Sequence, residues 1–375
     1  MLGFKRFASC FVACCGSLTM ACAADEESER LSLVTFNALV AEHGPHLDER
    51  LTAIGKAVNQ LRPDVLCLQE VWLLEHVEKL VDAVHSTLPY AFYTIRESTG
   101  STSCEPSERE ALVACVNANC GDVSTDELPS CAVSSCSVAF TNVSRSCQEC
   151  VLSNAEGAES IDSIAAACTE GSDGVAYERQ NGLILLSAFP FREKSEIALT
   201  SHVFERGVLH AELDVGFAPR LDVFCTHLAA TLDLEADPDD ETNEERAQQI
   251  DETLAFIDEE HSKGDVSVLL GDMNCGPDTD EVAGADTKDF ERLTARGLES
   301  PYSKAPFCTW CAENNLVADT DDDQRIDHIL FADLPDRFRT TTRRVFDERA
   351  TFEIDGKTIS SALSDHYGVR TLLSE

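Results

Sequence analysis

Leu31-Ser-Leu-Val-Thr-Phe-Asn37 opens with the two-residue alternation of a strand. Leu47, Leu51, Ile54, Val58 and Leu61 then recur at spacings of four and three, one buried helical face, and Arg62-Pro63-Asp64 stops that helix. Val65-Leu-Cys-Leu-Gln69 predicts a second strand, and Leu73, Val77, Leu80, Val84 and Leu88 a second helix. Apolar runs predict further strands at residues 182–187, 208–214, 221–226, 266–271, 326–331 and 368–373. Ahead of Val266, Ile250, Leu254 and Ile257 line a helical face, and Thr242 with Glu245 has capping-box spacing. Such alternation of strands and helices specifies an α/β chain with a large sheet content.

Polar residues interrupt this pattern at the strand ends. Asn37 ends the first strand, Glu70 follows the second, His227 follows Thr226, Asp272 and Asn274 follow Gly271, and Asp365-His366 precede the last strand. Buried strands fix positions while the turns beyond them stay open to ligand, so sites assemble there in α/β sheets. Each residue alone has an ordinary explanation, since carboxylates cap helices and Asn and Asp favour turns. Their recurrence at strand ends points to a site.

The chain has 375 residues, 43% hydrophobic and 26% charged, enough apolar surface for a sizeable core. Its net charge of −39 opposes sequence-independent binding of polyanions. Lys5 and Arg6 precede an apolar run that ends at Ala21-Cys22-Ala23, so residues 1–23 read as a cleaved export signal and the protein as secreted or periplasmic. Leu18 to Cys22 also loosely fits a lipoprotein signal, which leaves a lipid anchor on Cys22 as an alternative. No later apolar run is long enough to cross a membrane.

Cysteine usage agrees with export. Of 17 Cys, eight crowd between Cys104 and Cys168, a number that suits up to four disulfides. Residues 98–174 differ from their flanks in being acidic, with short helical stretches and too little aliphatic content for a core of their own. They read as a disulfide-stapled insertion in a catalytic domain spanning 30–375, with a lipid- or partner-binding cap as the functional alternative. Cys308-Thr-Trp-Cys311 is half of a zinc spacing without a second half and reads as a disulfide or two thiols.

Thr35-Phe-Asn37, Asp64-Val-Leu-Cys-Leu-Gln-Glu-Val-Trp72, Thr226-His-Leu228, Gly271-Asp-Met-Asn274, Arg325-Ile-Asp-His-Ile-Leu-Phe331 and Leu363-Ser-Asp-His366 resemble, in order and spacing, the motifs of the endonuclease/exonuclease/phosphatase superfamily. The resemblance implies a four-layer α/β sandwich of two mixed sheets with helices outside, interrupted by the Cys-rich insertion. It also implies a metal-dependent phosphoric diester hydrolase. Glu-Val-Trp72, Arg246-Ala-Gln248 and Arg325-Ile-Asp327 most resemble the neutral sphingomyelinase branch. The expected substrate is therefore a phospholipid headgroup at a membrane surface, sphingomyelin first. A nuclease of the same fold and a sugar or inositol phosphate hydrolase are the alternatives, and the charge disfavours nucleic acid.

Within that frame, Glu70, Asn37 and Asp365 offer hard oxygen ligands suited to Mg²⁺ or Mn²⁺. His366 is the candidate general base, oriented by Asp327. Asp272 and Asn274 would position water and the phosphoryl oxygens, and His227, if protonated, would stabilise developing charge or assist the leaving oxygen. His328 neighbours Asp327 on a strand and should face the other way. His43 and His46 read as solvated loop residues and the acidic run Asp233 to Glu245 as a solvated connection. Ala188 stands where many members of the family carry a basic residue, which predicts a missing phosphate contact.

Overall fold

A computed structural model describes residues 30–375 except 43, 96–101, 122–127, 156–157, 159, 172–176, 178–179, 217–219, 231–243, 262–264, 303–304 and 318–321. The export signal with Cys22, His43, Thr242 and most of the acidic run lie outside the described residues. In chain order the elements begin with β1 (Arg30–Val40), α1 (Leu47–Leu61), β2 (Val65–Val71), α2 (Leu74–Val84) and β3 (Tyr90–Phe92). Four helices follow: α3 (Pro106–Cys120), α4 (Leu128–Thr141), α5 (Arg145–Ser153) and α6 (Ile161–Ala167). Next come β4 (Ile184–Ser187), β5 (Phe191–Leu199), β6 (Arg206–Leu213), β7 (Leu221–His227), α7 (Glu244–Glu260), β8 (Val266–Asp272) and α8 (Thr287–Thr294). The chain ends with β9 (Asp327–Ala332), β10 (Arg339–Val345), β11 (Ala350–Ile354), β12 (Lys357–Ser361) and β13 (Gly368–Ser374).

The strands form a six-stranded sheet, β10-β13-β1-β2-β4-β3, a five-stranded sheet, β5-β6-β7-β8-β9, and the hairpin β11-β12. Both large sheets are mixed: β1 runs parallel to β2 and β7 to β8, while their other neighbours are antiparallel. Side-chain alternation sorts each strand into two faces. Leu31, Leu33, Val65 and Cys67 from one sheet meet Val223, Cys225, Val268, Leu270 and Ile329 from the other in a shared core. Val34, Phe36, Leu66 and Leu68 face outward onto α1 and α2, and Phe224, Leu269 and Leu330 onto α7 and α8. Four layers result, helices outside and two sheets between. A disulfide between Cys67 and Cys225 crosses the central layer, joining strands 158 residues apart.

The Cys-rich segment departs from expectation. Rather than lacking a core, it packs α3 to α6 around Leu112, Val116, Val143, Ile161 and Ile164 together with buried half-cystines. Its disulfides are Cys104–Cys147, Cys115–Cys136, Cys120–Cys131 and Cys150–Cys168. The sulfur pairs supply burial that an aliphatic count leaves out. Cys308 and Cys311 are also bonded to each other.

Candidate active site

One end of the sandwich collects the polar strand ends. Because β1 and β2 are parallel, as are β7 and β8, their C-terminal residues emerge together, while antiparallel β6 and β9 bring their first residues to the same end. Asn37, His227, Asp272 and Asp327 continue the core-facing registers of Leu33, Cys225, Leu270 and Ile329, so their side chains point between the sheets. Glu70 belongs by alternation to the helix-facing set. Its backbone is left-handed, with φ 58°, and this breaks the alternation so that Glu70 joins Asn37. Asn37 donates from Nδ2 to Glu70 Oε1 at 3.0 Å and to Asp272 Oδ2 at 3.0 Å, tying the two sheets together across the site.

His366, on the loop before β13, bonds through Nδ1 to Asp327 Oδ2 at 2.8 Å, leaving Nε2 3.7 Å from Asp272 Oδ2. Asp365 lines the same cavity, of about 720 Å³, with Glu70, Arg206, His227, Asp272, Asn274 and Trp310. The Asn274 backbone N–H donates to Asp272 Oδ1 at 2.9 Å, and the Asn274 side-chain amide lies 3.1 Å from His227 Nε2. Thus Asn37, Glu70, His227, Asp272, Asn274, Asp327, Asp365 and His366 all converge.

Electrostatics in this cavity follow from crowding and desolvation. Burial, and then Asp365, push the Glu70 carboxyl up; burial and Asp327 push Asp272 up to about 7. Burial works against a charged His366 imidazole, but Asp327, Asp272 and Asp365 outweigh it and hold the group well above its ordinary value. Carboxylates this close call for positive charge. The chemistry of the donors fits a divalent cation at Glu70 and Asp365, while Asn37 would ligate only with its amide turned over, since its Oδ1 here accepts from Leu39 N at 3.2 Å. Oxygen and nitrogen atoms of Asp272, Asp327 and His366 cluster more tightly, but the His366–Asp327 bond already commits two of them to each other.

The role expected of the His227 imidazole is conditional on protonation, and its surroundings disfavour that form. Burial, followed by Arg206 and His366, pushes it well below its ordinary value. Arg206 Nη1 lies 2.8 Å from Nδ1 and can only donate, so Nδ1 is unprotonated and the neutral ring keeps its proton on Nε2, 3.5 Å from Asp272 Oδ2. Arg206 thus brings a permanent positive charge to the site, within the field of Glu70 and Asp272. None of the motifs contains it. A signal was available, because Arg206 is the charged first residue of a strand whose residues are all buried.

Ala188 corrects another expectation. Neighbouring Ser187 pairs with Val65, the first residue of β2, whereas Glu70 lies near that strand's last. Position 188 is therefore at the opposite end of the sheet, roughly 15–20 Å from the site by strand rise, and no phosphate contact is lost there. His328 packs on Phe290 and approaches Cys275 O at 3.1 Å, on the helix-facing side as its register requires. His46 precedes α1, away from the cavity.

A model of the endonuclease/exonuclease/phosphatase family matches residues 34–366. The chain belongs to this family. It is accordingly a metal-dependent phosphoric ester hydrolase. Among solved structures, sphingomyelinase C from Streptomyces griseocarneus is similar at 18% identity with TM-score 0.56, covering 92% of this chain and 99% of that one. A mutant of beta toxin from Staphylococcus aureus with bound magnesium ions is similar at 15% identity with TM-score 0.55, covering 91% and 98%. Truncated Caenorhabditis elegans TDP2 is similar at 14% identity with TM-score 0.55, covering 92% and 98%. No curated protein matches the chain in sequence.

Proposed function

We propose that this member of the family is a secreted phosphodiesterase that hydrolyses a phospholipid headgroup ester, most favourably sphingomyelin, with Mg²⁺ or Mn²⁺ bound by Glu70, Asp365 and Asn37. The observation that carries the reading is the His366–Asp327 pair on one side of a carboxylate-lined cavity and Glu70 on the other. Asp327 fixes the His366 tautomer with Nε2 toward the cavity, where, once deprotonated, it takes the proton of an attacking water. A divalent cation held by Glu70 and Asp365 would, when bound, supply Lewis-acid polarisation of a phosphoryl oxygen and would offset part of the carboxylate field that raises His366. Asp272, held by Asn37 and by the Asn274 N–H, orients that water. Neutral His227 and Arg206 donate toward charge that accumulates on the phosphoryl and leaving oxygens.

Several observations favour lipid over nucleic acid. Two structurally similar proteins named above are a sphingomyelinase C and a beta toxin. Arg192 pairs with Asp214 on strand ends remote from the site, so it brings no basic charge to the mouth of the cavity. Residues 1–23 as an export signal suit a fold with six disulfides among its described residues. Among the described residues no helix is long and apolar enough to cross a membrane. The test compares initial rates on sphingomyelin vesicles, plasmid DNA and an inositol phosphate at matched Mg²⁺ and low salt. Sphingomyelin should be fastest, and a faster rate on DNA would replace this reading with a nuclease.

A further inference from the structure

Beside the catalytic cavity lies a second one, of about 240 Å³, which shares Glu70, Arg206 and Ala230 with it. Its wall is aromatic. Trp72 and Tyr177 stack with centroids 5.3 Å apart, and Phe204 closes the group at 5.5 Å from Trp72 and 6.3 Å from Tyr177. Each ring comes from a different part of the chain: Trp72 from the end of β2, Tyr177 from the segment after α6, Phe204 from the loop before β6. The disulfide-stapled insertion completes the wall with Leu152 of α5, and the first residue of the same helix anchors it, Arg145 Nη2 donating to Val203 O at 3.2 Å. Glu245 adds a carboxylate from α7.

We infer that this aromatic cavity receives the quaternary ammonium of a phosphocholine group whose phosphate occupies the adjoining catalytic cavity. The inference rests on the phospholipid-headgroup reading and names the headgroup. Three ring systems together with an anionic residue are what a methylated cation needs: the ring faces attract charge that is too diffuse to hold a hydration shell tightly. Arg206 lies over the Trp72 ring, with Cζ 5.8 Å from the centroid, so this wall already accommodates one cation, whose charge is set among Glu70, Asp272 and Glu245. Glu245, which is not among the residues assigned to the metal, places a carboxylate on the lining together with the rings' own negative faces. A volume of 240 Å³ is below the usual range for drug-sized ligands, which excludes the long chains of a ceramide and suits a small headgroup. In this arrangement the insertion is a wall of the substrate site.

Isothermal titration calorimetry of the full chain in Mg²⁺ with phosphocholine, phosphoethanolamine and inorganic phosphate tests the inference without requiring turnover. Phosphocholine should bind about tenfold tighter than phosphoethanolamine, the scale of a partly desolvated cation–aromatic contact. Phe204→Leu, which keeps apolar volume and removes the ring, and Leu152→Arg, which places a positive charge on the half-buried insertion wall, should each bring that ratio close to one. Thermal melts at the wild-type temperature establish that both variants are folded. Equal wild-type affinities, no binding of any of the three, or a ratio that survives in both folded variants overturns the inference. A preserved ratio in a protein that does not hydrolyse sphingomyelin vesicles would leave the cavity standing and refute only the sphingomyelin substrate.

Discussion

A single backbone angle separates what could be read at Glu70 from what could not. The sequence places a carboxylate at the end of a buried strand, but alternation from Leu66 and Leu68 sends it toward α1 and α2, and only the left-handed φ of 58° returns it to the site. Asn37, His227, Asp272 and Asp327 needed no such correction, since strict period-two alternation from the core residues already aims them inward. Arg206 was missed because it lies between recognisable motifs and acts through His227, a relation that exists only across β6 and β7. Glu70→Gln should raise the Mg²⁺ concentration needed for half-maximal activity by about tenfold or more, because an amide cannot replace the charge, and excess Mg²⁺ should restore part of the rate. A metal titration of activity measures this directly, and an unshifted curve would remove Glu70 from the metal site.

Among elements, the strands that pattern reading recovers are those buried on both faces, such as β2, β7 and β8, whose runs are almost wholly apolar. Those it missed are the short edge strand β3 and the half-exposed β5, β10, β11 and β12, where charged and Thr positions mask the period. Likewise, the insertion's helices carry half-cystines where an aliphatic count looks for Leu and Ile. Although the insertion has its own core, its boundaries sit between neighbouring strands, Tyr90 pairing with Ser187 and Phe92 with Leu185. Adjacent strands are only about 5 Å apart, so a short linker can join them at small entropic cost. Replacing residues 98–174 with a Gly-Ser linker should therefore leave a cooperatively melting sandwich that binds inorganic phosphate in Mg²⁺ but has lost its preference for phosphocholine along with Leu152. An insoluble product, or one without a cooperative melt, would make the segment part of the main core.

At the scale of the whole molecule, the catalytic geometry depends on how two sheets are held against each other, since Glu70 and Asn37 belong to one and His227, Asp272 and Asp327 to the other. Side-chain bonds across the mouth, chiefly Asn37 to Asp272, align them at the site. The Cys67–Cys225 bond does so from within the core, where both residues are fully buried, and each lies a few positions before a site residue on its own strand, Glu70 and His227. Sequence could not pair them, because Cys67, Cys225, Cys275, Cys308 and Cys311 allow many connectivities and only the packed sandwich brings the first two together while leaving Cys275 free. A crosslink closing so long a loop restrains the unfolded chain strongly, and its removal typically costs about 2–5 kcal/mol. The double replacement Cys67→Ala, Cys225→Ala should accordingly lower the urea midpoint and leave a folded but less stable enzyme. Since both thiols are shielded from solvent, mild reductant should fail to open the bond in the native protein and succeed once urea unfolds it. An unchanged midpoint in the double variant, or rapid reduction under native conditions, would show that the two sheets do not depend on this link.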